Sequence, residues 1–243
     1  MRIDAKGMDH RALNALLRKG IDGGEREFDL DNVVGQRFIA AGVTQPVSIR
    51  ISGVPGNDLG AFMDGPRITV SGNAQDAVGN TMNSGTIVVN GDARDLAGHS
   101  MRGGRILVKG DVGYRAGIHM KSYETQLPVI VVGGRSEDFT GEYMAGGVIV
   151  VLNLRGPGQP AAGYLTATGM HGGTIYVRGE LDPATLGREA SQLPLDAADA
   201  EALGKMVAEF LACFPDVRYE FRPDEFRKLL PLSHRPYGRL YAY

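Results

Sequence analysis

The sequence has no tryptophan, and Cys213 is its only cysteine. One thiol cannot close an internal disulfide or build a cysteine-based zinc site, so a reducing compartment is the natural home. Long apolar runs are also missing: none approaches the roughly 20 residues needed to cross a bilayer. The opening stretch MRIDAKGMDHRALNALLRKG lacks the apolar core of a signal peptide. Neither sign of charge dominates, since 26 Lys+Arg stand against 28 Asp+Glu. That balance argues against nucleic acid or an anionic membrane as partner. These deficits together give the expectation of a soluble, cytoplasmic chain. Aromatic residues are only 7 % of the sequence, too few for a large aromatic core, whereas 35 glycines without a collagen period indicate many tight turns.

Repetition is what the sequence has in abundance. Met63, Met82, Met101 and Met120 are each 19 residues apart. Gly60, Gly79, Gly98 and Gly117 keep the same step, as do Gly53, Gly72, Gly91 and Gly110. Two longer units follow, with Met144 placed 24 residues after Met120 and Met170 placed 26 after Met144; Gly141 continues the Gly60 column. Each unit ends in an alternating pair: Ile68/Val70, Ile87/Val89, Ile106/Val108, Ile130/Val132, Ile149/Val151 and Ile175/Val177. Residues two apart on a strand share a face. One such unit cannot bury that face alone, but stacked units can. The expected fold is all-β: a single-stranded parallel solenoid of about seven coils. It occupies residues 28–179, with a helix and lead-in over 1–27 and a helical cap and tail over 180–243. The Ile, Val and Met columns fill its interior, and the glycines mark corners of positive φ. Asp76, Asp95 and Asp138 share a corner column, where short carboxylates bond nearby backbone.

Residues 8–19 and 196–213 read as short amphipathic helices, with Pro215 just beyond the second. Solenoid ends need covers, so these helices are expected at the two ends. Two insertions break the period. One lies between Met120 and Ile130 and contains Tyr123; the other runs from Asn153 to Thr168. Both are expected to project as loops, either as binding elements or as tolerated surface.

No catalytic constellation emerges. Gly98-His99-Ser100-Met101-Arg102-Gly103 has two residues between Ser100 and Gly103, whereas a nucleophile elbow has one and needs a strand-to-helix turn. Equivalent positions in other coils hold Phe62, Thr81, His119 and Tyr143. The histidines His10, His99, His119, His171 and His234 show no recognisable metal-ligand spacing. No phosphate-binding glycine loop occurs. Cys213, among Phe210, Leu211 and Phe214, is expected as a small buried side chain. No catalytic, cofactor or metal residue is therefore assigned to this chain.

The spacing G-x-x-G-x-x-x-G at Gly53, Gly56 and Gly60, and again at Gly110, Gly113 and Gly117, resembles the GXGXG domain. That domain closes the large subunit of glutamate synthase. GNDLGAFMDG, GNAQDAVGNTMNSG, GDVGYRAGIHMK, GEYMAGG, TGMHGGTIYVRGE and the closing SHRPYGRLYAY look like its stand-alone, archaeal-type version. The likeness covers about residues 28–180 plus the final stretch. One of the subunits of formylmethanofuran dehydrogenase shares the repeat. The resemblance implies a right-handed β-helix without catalytic residues. It implies partners too: a glutaminase subunit that releases ammonia and an FMN-containing synthase subunit. FMN and iron–sulfur clusters would sit on those partners, and none on this chain. The NLRGPG insertion at 153–158 replaces a tight turn of the family. Self-association is compatible with all this. So is a free-standing hydrolase built on Ser100, which ester turnover abolished by Ser100→Ala would reveal.

The segment 226–243 matches no repeat and mixes cations with tyrosines. Arg235, Tyr237, Arg239, Tyr241 and Tyr243, together with Tyr123, are the expected partner contacts, because Tyr and Arg are enriched at interface hot spots. The alternative is that the segment folds back over the last coil.

Overall fold

A computed structural model describes residues 1–234. Its strands are β1 (Arg2–Asp4), β2 (Glu27–Val34), β3 (Ser48–Val54), β4 (Asp64–Val70), β5 (Ser84–Val89), β6 (Arg105–Val108), β7 (Val129–Val132), β8 (Ala145–Val151), β9 (Gly172–Arg178), β10 (Ala190–Pro194) and β11 (Phe226–Pro231). Two α-helices accompany them, α1 (His10–Asp22) and α2 (Ala197–Cys213). From β1 to β9 the strands stack in chain order and in parallel. The fold is a parallel β-solenoid.

Register explains the repeat. Ile49, Ile68, Ile87, Ile106, Ile130, Ile149 and Ile175 are successive partners across the ladder, as are Ile51, Val70, Val89, Val108, Val132, Val151 and Val177. Both columns face inward and are essentially fully buried. Met63, Met82, Met101, Met120, Met144 and Met170 join them with no exposed surface. Phe28 and Leu30 extend the same columns to β2, where no repeat is visible in the sequence.

Opposite the sheet, each coil turns through three residues of positive φ, spaced two apart. In one central coil these are Leu96 (63°), Gly98 (70°) and Ser100 (54°). The middle one donates its N–H to the preceding coil, as Gly98 does to Val78 O at 2.8 Å. The outer two donate to the following coil: Leu96 to Tyr114 O and Ser100 to Ile118 O, both 2.8 Å. Left-handed backbone costs a non-glycine residue roughly 1–2 kcal/mol. Hydrogen bonds to both neighbouring coils offset that cost by pairing the amides of all three residues. The middle column needs glycine for a second reason. A Cβ on Gly98 would lie 2.4 Å from Cδ1 of Ile130 in the next coil. Ala40 and Ala167 take this position in the first and last coils.

The corner carboxylates bridge coils rather than capping their own turn. Asp92 Oδ1 accepts the Asp111 N–H at 3.0 Å, Asp111 Oδ1 the Arg135 N–H at 2.7 Å, and Asp95 Oδ1 the Tyr114 N–H at 3.0 Å. Glycines in the next coil make room for each carboxylate. Gly110, for example, could not carry a Cβ beside Asp92.

Helix α1 closes the N-terminal end. Asp9 caps it by accepting the Ala12 N–H at 2.8 Å. Its buried residues Leu13, Leu17 and Ile21 belong to the interior core with Phe28, Leu30 and Ile39. Helix α2 does not close the other end, contrary to the expectation from sequence. It lies on the outer face of the sheet, where Leu203, Val207, Phe210 and Phe214 pack with Val88, Leu107, Val131, Val150 and Tyr176. The reason is the outward column of the ladder, which reads Asp29, Arg50, Thr69, Val88, Leu107, Val131, Val150, Tyr176. It turns apolar at Val88, and burying each such side chain contributes about 1.5–3 kcal/mol. The C-terminal end is closed by β11, antiparallel to β9 with Leu229 beside Ile175, and by β10 beyond it.

Candidate interaction surface

With the interior filled, chemistry and binding fall to the corners, the outer sheet face and the insertions. The outermost corner column holds Phe62, Thr81, Ser100, His119 and Tyr143, all of positive φ. Ser100 thus shares its strained backbone with every equivalent residue, and that strain belongs to the repeat rather than to a nucleophile. Phe62 is 56 % exposed and Tyr143 37 %. His119 stacks on Tyr143 with centroids 5.4 Å apart, and His99 meets His119 edge-on at 6.2 Å. Burial first, then the His119 charge, lowers the pKa of His99. Among the described residues no group of three or more His, Cys, Asp or Glu side chains could hold a metal ion.

The first insertion is open to solvent and closed on itself by backbone pairing of Tyr123 with Gln126. Tyr123 is 57 % exposed and Leu127 47 %. The second insertion folds back instead of projecting as the sequence suggests. Arg155 reaches Asp92 at 2.5 Å and Asp111 at 3.8 Å, joining the carboxylates of two adjacent coils. Arg135 Nε donates to Pro160 O at 2.7 Å, and Asn153 Nδ2 to Gln159 O at 2.7 Å. Between this loop, Arg178, Glu180 and Glu225 lies a cleft of about 500 Å³. Carboxylates aligned at the 19-residue step were the available signal for an arginine clamp.

Cys213 is half-buried at the end of α2, with its Sγ 3.6 Å from the Arg67 guanidinium, rather than fully buried. Opposite the helix start, Tyr176 Oη donates to Asp199 at 2.8 Å. Lys228 of β11 pairs with Asp199 and, at 2.9 Å, with Asp196. This network ties α2 to the last strands. Arg235, Tyr237, Arg239, Tyr241 and Tyr243 lie outside the described residues. The part of the tail that is described, β11, covers the last coil.

A stack of in-register coils with a closed aliphatic interior and decorated corners defines a β-solenoid whose working surfaces are all external. Within that class the chain belongs to the GXGXG motif family, which matches residues 28–216. An uncharacterized protein of Methanocaldococcus jannaschii is 47 % identical, over 99 % of this chain and 95 % of that protein. Among solved structures, a chain of the formyltransferase/hydrolase complex of Methylorubrum extorquens, crystallised with methylofuran, has the same fold. Its TM-score is 0.62 at 22 % identity, covering 86 % of this chain and 83 % of that one.

Proposed function

We propose that this chain is a non-catalytic scaffold subunit of a multi-subunit oxidoreductase-type complex. One observation carries the reading: the stacked ladder encloses a core of Ile, Val, Leu, Met and Ala side chains closed at its first coil by Phe28, so every functional contact must be external. A stacked solenoid with a side helix and a clamped second insertion suits holding other subunits in register. The GXGXG family and a neighbour of the same fold within a multi-subunit complex support this role.

The particular complex we assign is glutamate synthase in split form. A glutaminase subunit would release ammonia, and an FMN-containing synthase subunit would make glutamate from 2-oxoglutarate, with FMN and iron–sulfur clusters on the partners. The repeat motifs support that assignment. The second reading, a scaffold in a formyltransferase/hydrolase or formylmethanofuran dehydrogenase-type assembly, is favoured by the solved neighbour. Native purification from the source cells, with partner identification and assays for both reactions, separates them. Glutamine-dependent amination of 2-oxoglutarate in the purified assembly supports the first reading. A complex acting on formyl groups replaces it with the second, and a chain recovered without partners refutes both.

A further inference from the structure

We propose that the corner of the central coils around Lys121 docks a carboxylate-bearing segment of a partner protein; this rests on the scaffold role above. Arg102 and Lys121 occupy consecutive rungs just after the methionine column. Their N–H groups donate to Met82 O at 2.8 Å and Met101 O at 3.0 Å. Several other cations of the central coils are neutralised, Arg94 by Asp76, Arg105 by Glu209, Arg115 by Glu142 and Arg155 by Asp92, while Arg135 donates to the carbonyl of Pro160. Arg102 instead donates only to the carbonyls of Ser100 and His119, at 2.9 and 3.1 Å. Lys121 is exposed and has no ion-pair partner among the described residues. Two unneutralised cations on adjacent rungs favour an anionic partner.

The surroundings supply the rest of an interface. Tyr143, His119 and Tyr123 stand exposed beside these rungs, and aromatic side chains flanking charge are the usual anchors of protein contacts. In the first and last coils the same corner column is glycine, Gly42 and Gly169. The central coils keep His119 and Tyr143 there, at φ of 55° and 51°, although neither fills the core.

The test uses the full chain, tagged in its native host. Lys121→Glu combined with Arg102→Glu should cut recovery of the co-purifying subunits by about tenfold or more, because charge reversal places like charges face to face. Lys121→Arg should retain them, and the melting temperature of all variants should match the parent. Carbodiimide, which joins an amine directly to a carboxylate, should couple Lys121 to an Asp or Glu of a recovered subunit. Full recovery with the charge-reversed chain, or coupling maps that omit Lys121, overturns the proposal. Capture abolished by nuclease would mean that these cations read phosphate, which overturns it as well. If the parent chain itself recovers no subunit, the scaffold reading fails and this surface falls with it.

Discussion

Gly98 lies beneath Ile130 of the following coil so closely that a methyl group on it would sit 2.4 Å from Cδ1. Gly117 and Ile149 repeat the contact one coil on. The glycine column and the isoleucine column are therefore one packing unit, linked across coils.

Gly98→Ala should accordingly destabilise the chain by about 2–4 kcal/mol, from overpacking together with left-handed backbone. Gly24→Ala meets open space at φ +94° and carries only the backbone term. Chemical denaturation of both variants checks the difference. Similar losses would mean that the coil-to-coil contact is not limiting.

Met101 has no exposed surface, and Arg102 bonds only carbonyl oxygens at the rim. Met101→Asp places a carboxylate among aliphatic neighbours and should cost several kcal/mol. Arg102→Ala should stay within about 1 kcal/mol. Thermal melts report both, and equal shifts would contradict the interior role of the methionine column.

Phe210 is fully buried between α2 and the sheet, next to Gly133. Phe210→Ala should cost about 3–5 kcal/mol. Binding of a hydrophobic dye should rise as Val131 and Leu107 become accessible. An unaltered melt would show that α2 contributes little to stability.

The α2 anchor should fail in acid. The Asp199 backbone N–H and then the Lys228 ammonium hold the Asp196 carboxyl down to about 2. Asp199 is lowered as well: burial opposes this, but Lys228, the Asp196 N–H and Tyr176 together outweigh it. Carboxyls depressed in the folded state lend stability above their unfolded pKa, near 4, and lose it as pH falls toward 2. Amide exchange in α2 should therefore rise between pH about 4 and 2, and Lys228→Met should move that rise to higher pH. An identical profile in the variant would remove the anchor from the explanation.

Deleting residues 235–243 leaves β11 and its pairing with β9 and β10 in place. The truncated chain should keep its melting temperature and its β-rich circular dichroism while losing partner subunits on native purification. Intact assembly would exclude Arg235, Tyr237, Arg239, Tyr241 and Tyr243 as docking residues; unfolding would make the segment a cap.

The interior was legible because the step is constant. Once Met63 to Met120 recur at 19 residues, every Ile and Val of the strands acquires a side and a partner. The corner of the first coil was hidden, although the expected solenoid began at residue 28: Phe38, Ala40 and Gly42 take the corner conformation without the glycine pattern. The corner aspartates were visible, but their acceptor role toward the next coil was not, because no spacing says which amide a carboxylate meets. Exposed Tyr123 was anticipated within its loop, whereas Arg102 and Lys121 become neighbours only when stacking sets them on adjacent rungs.

The sequence by itself determined the coil: its length, its inward columns and its tight corners, all consequences of local periodicity repeated in order. Tertiary structure alone decided what covers what. Helix α2 is amphipathic wherever it lies, and only the stacked register turns Val88, Leu107, Val131, Val150 and Tyr176 into one continuous apolar strip for it to cover. Arg155 likewise reaches Asp92 and Asp111 only because stacking sets those carboxylates on adjacent rungs, a distance that no residue count along the chain encodes.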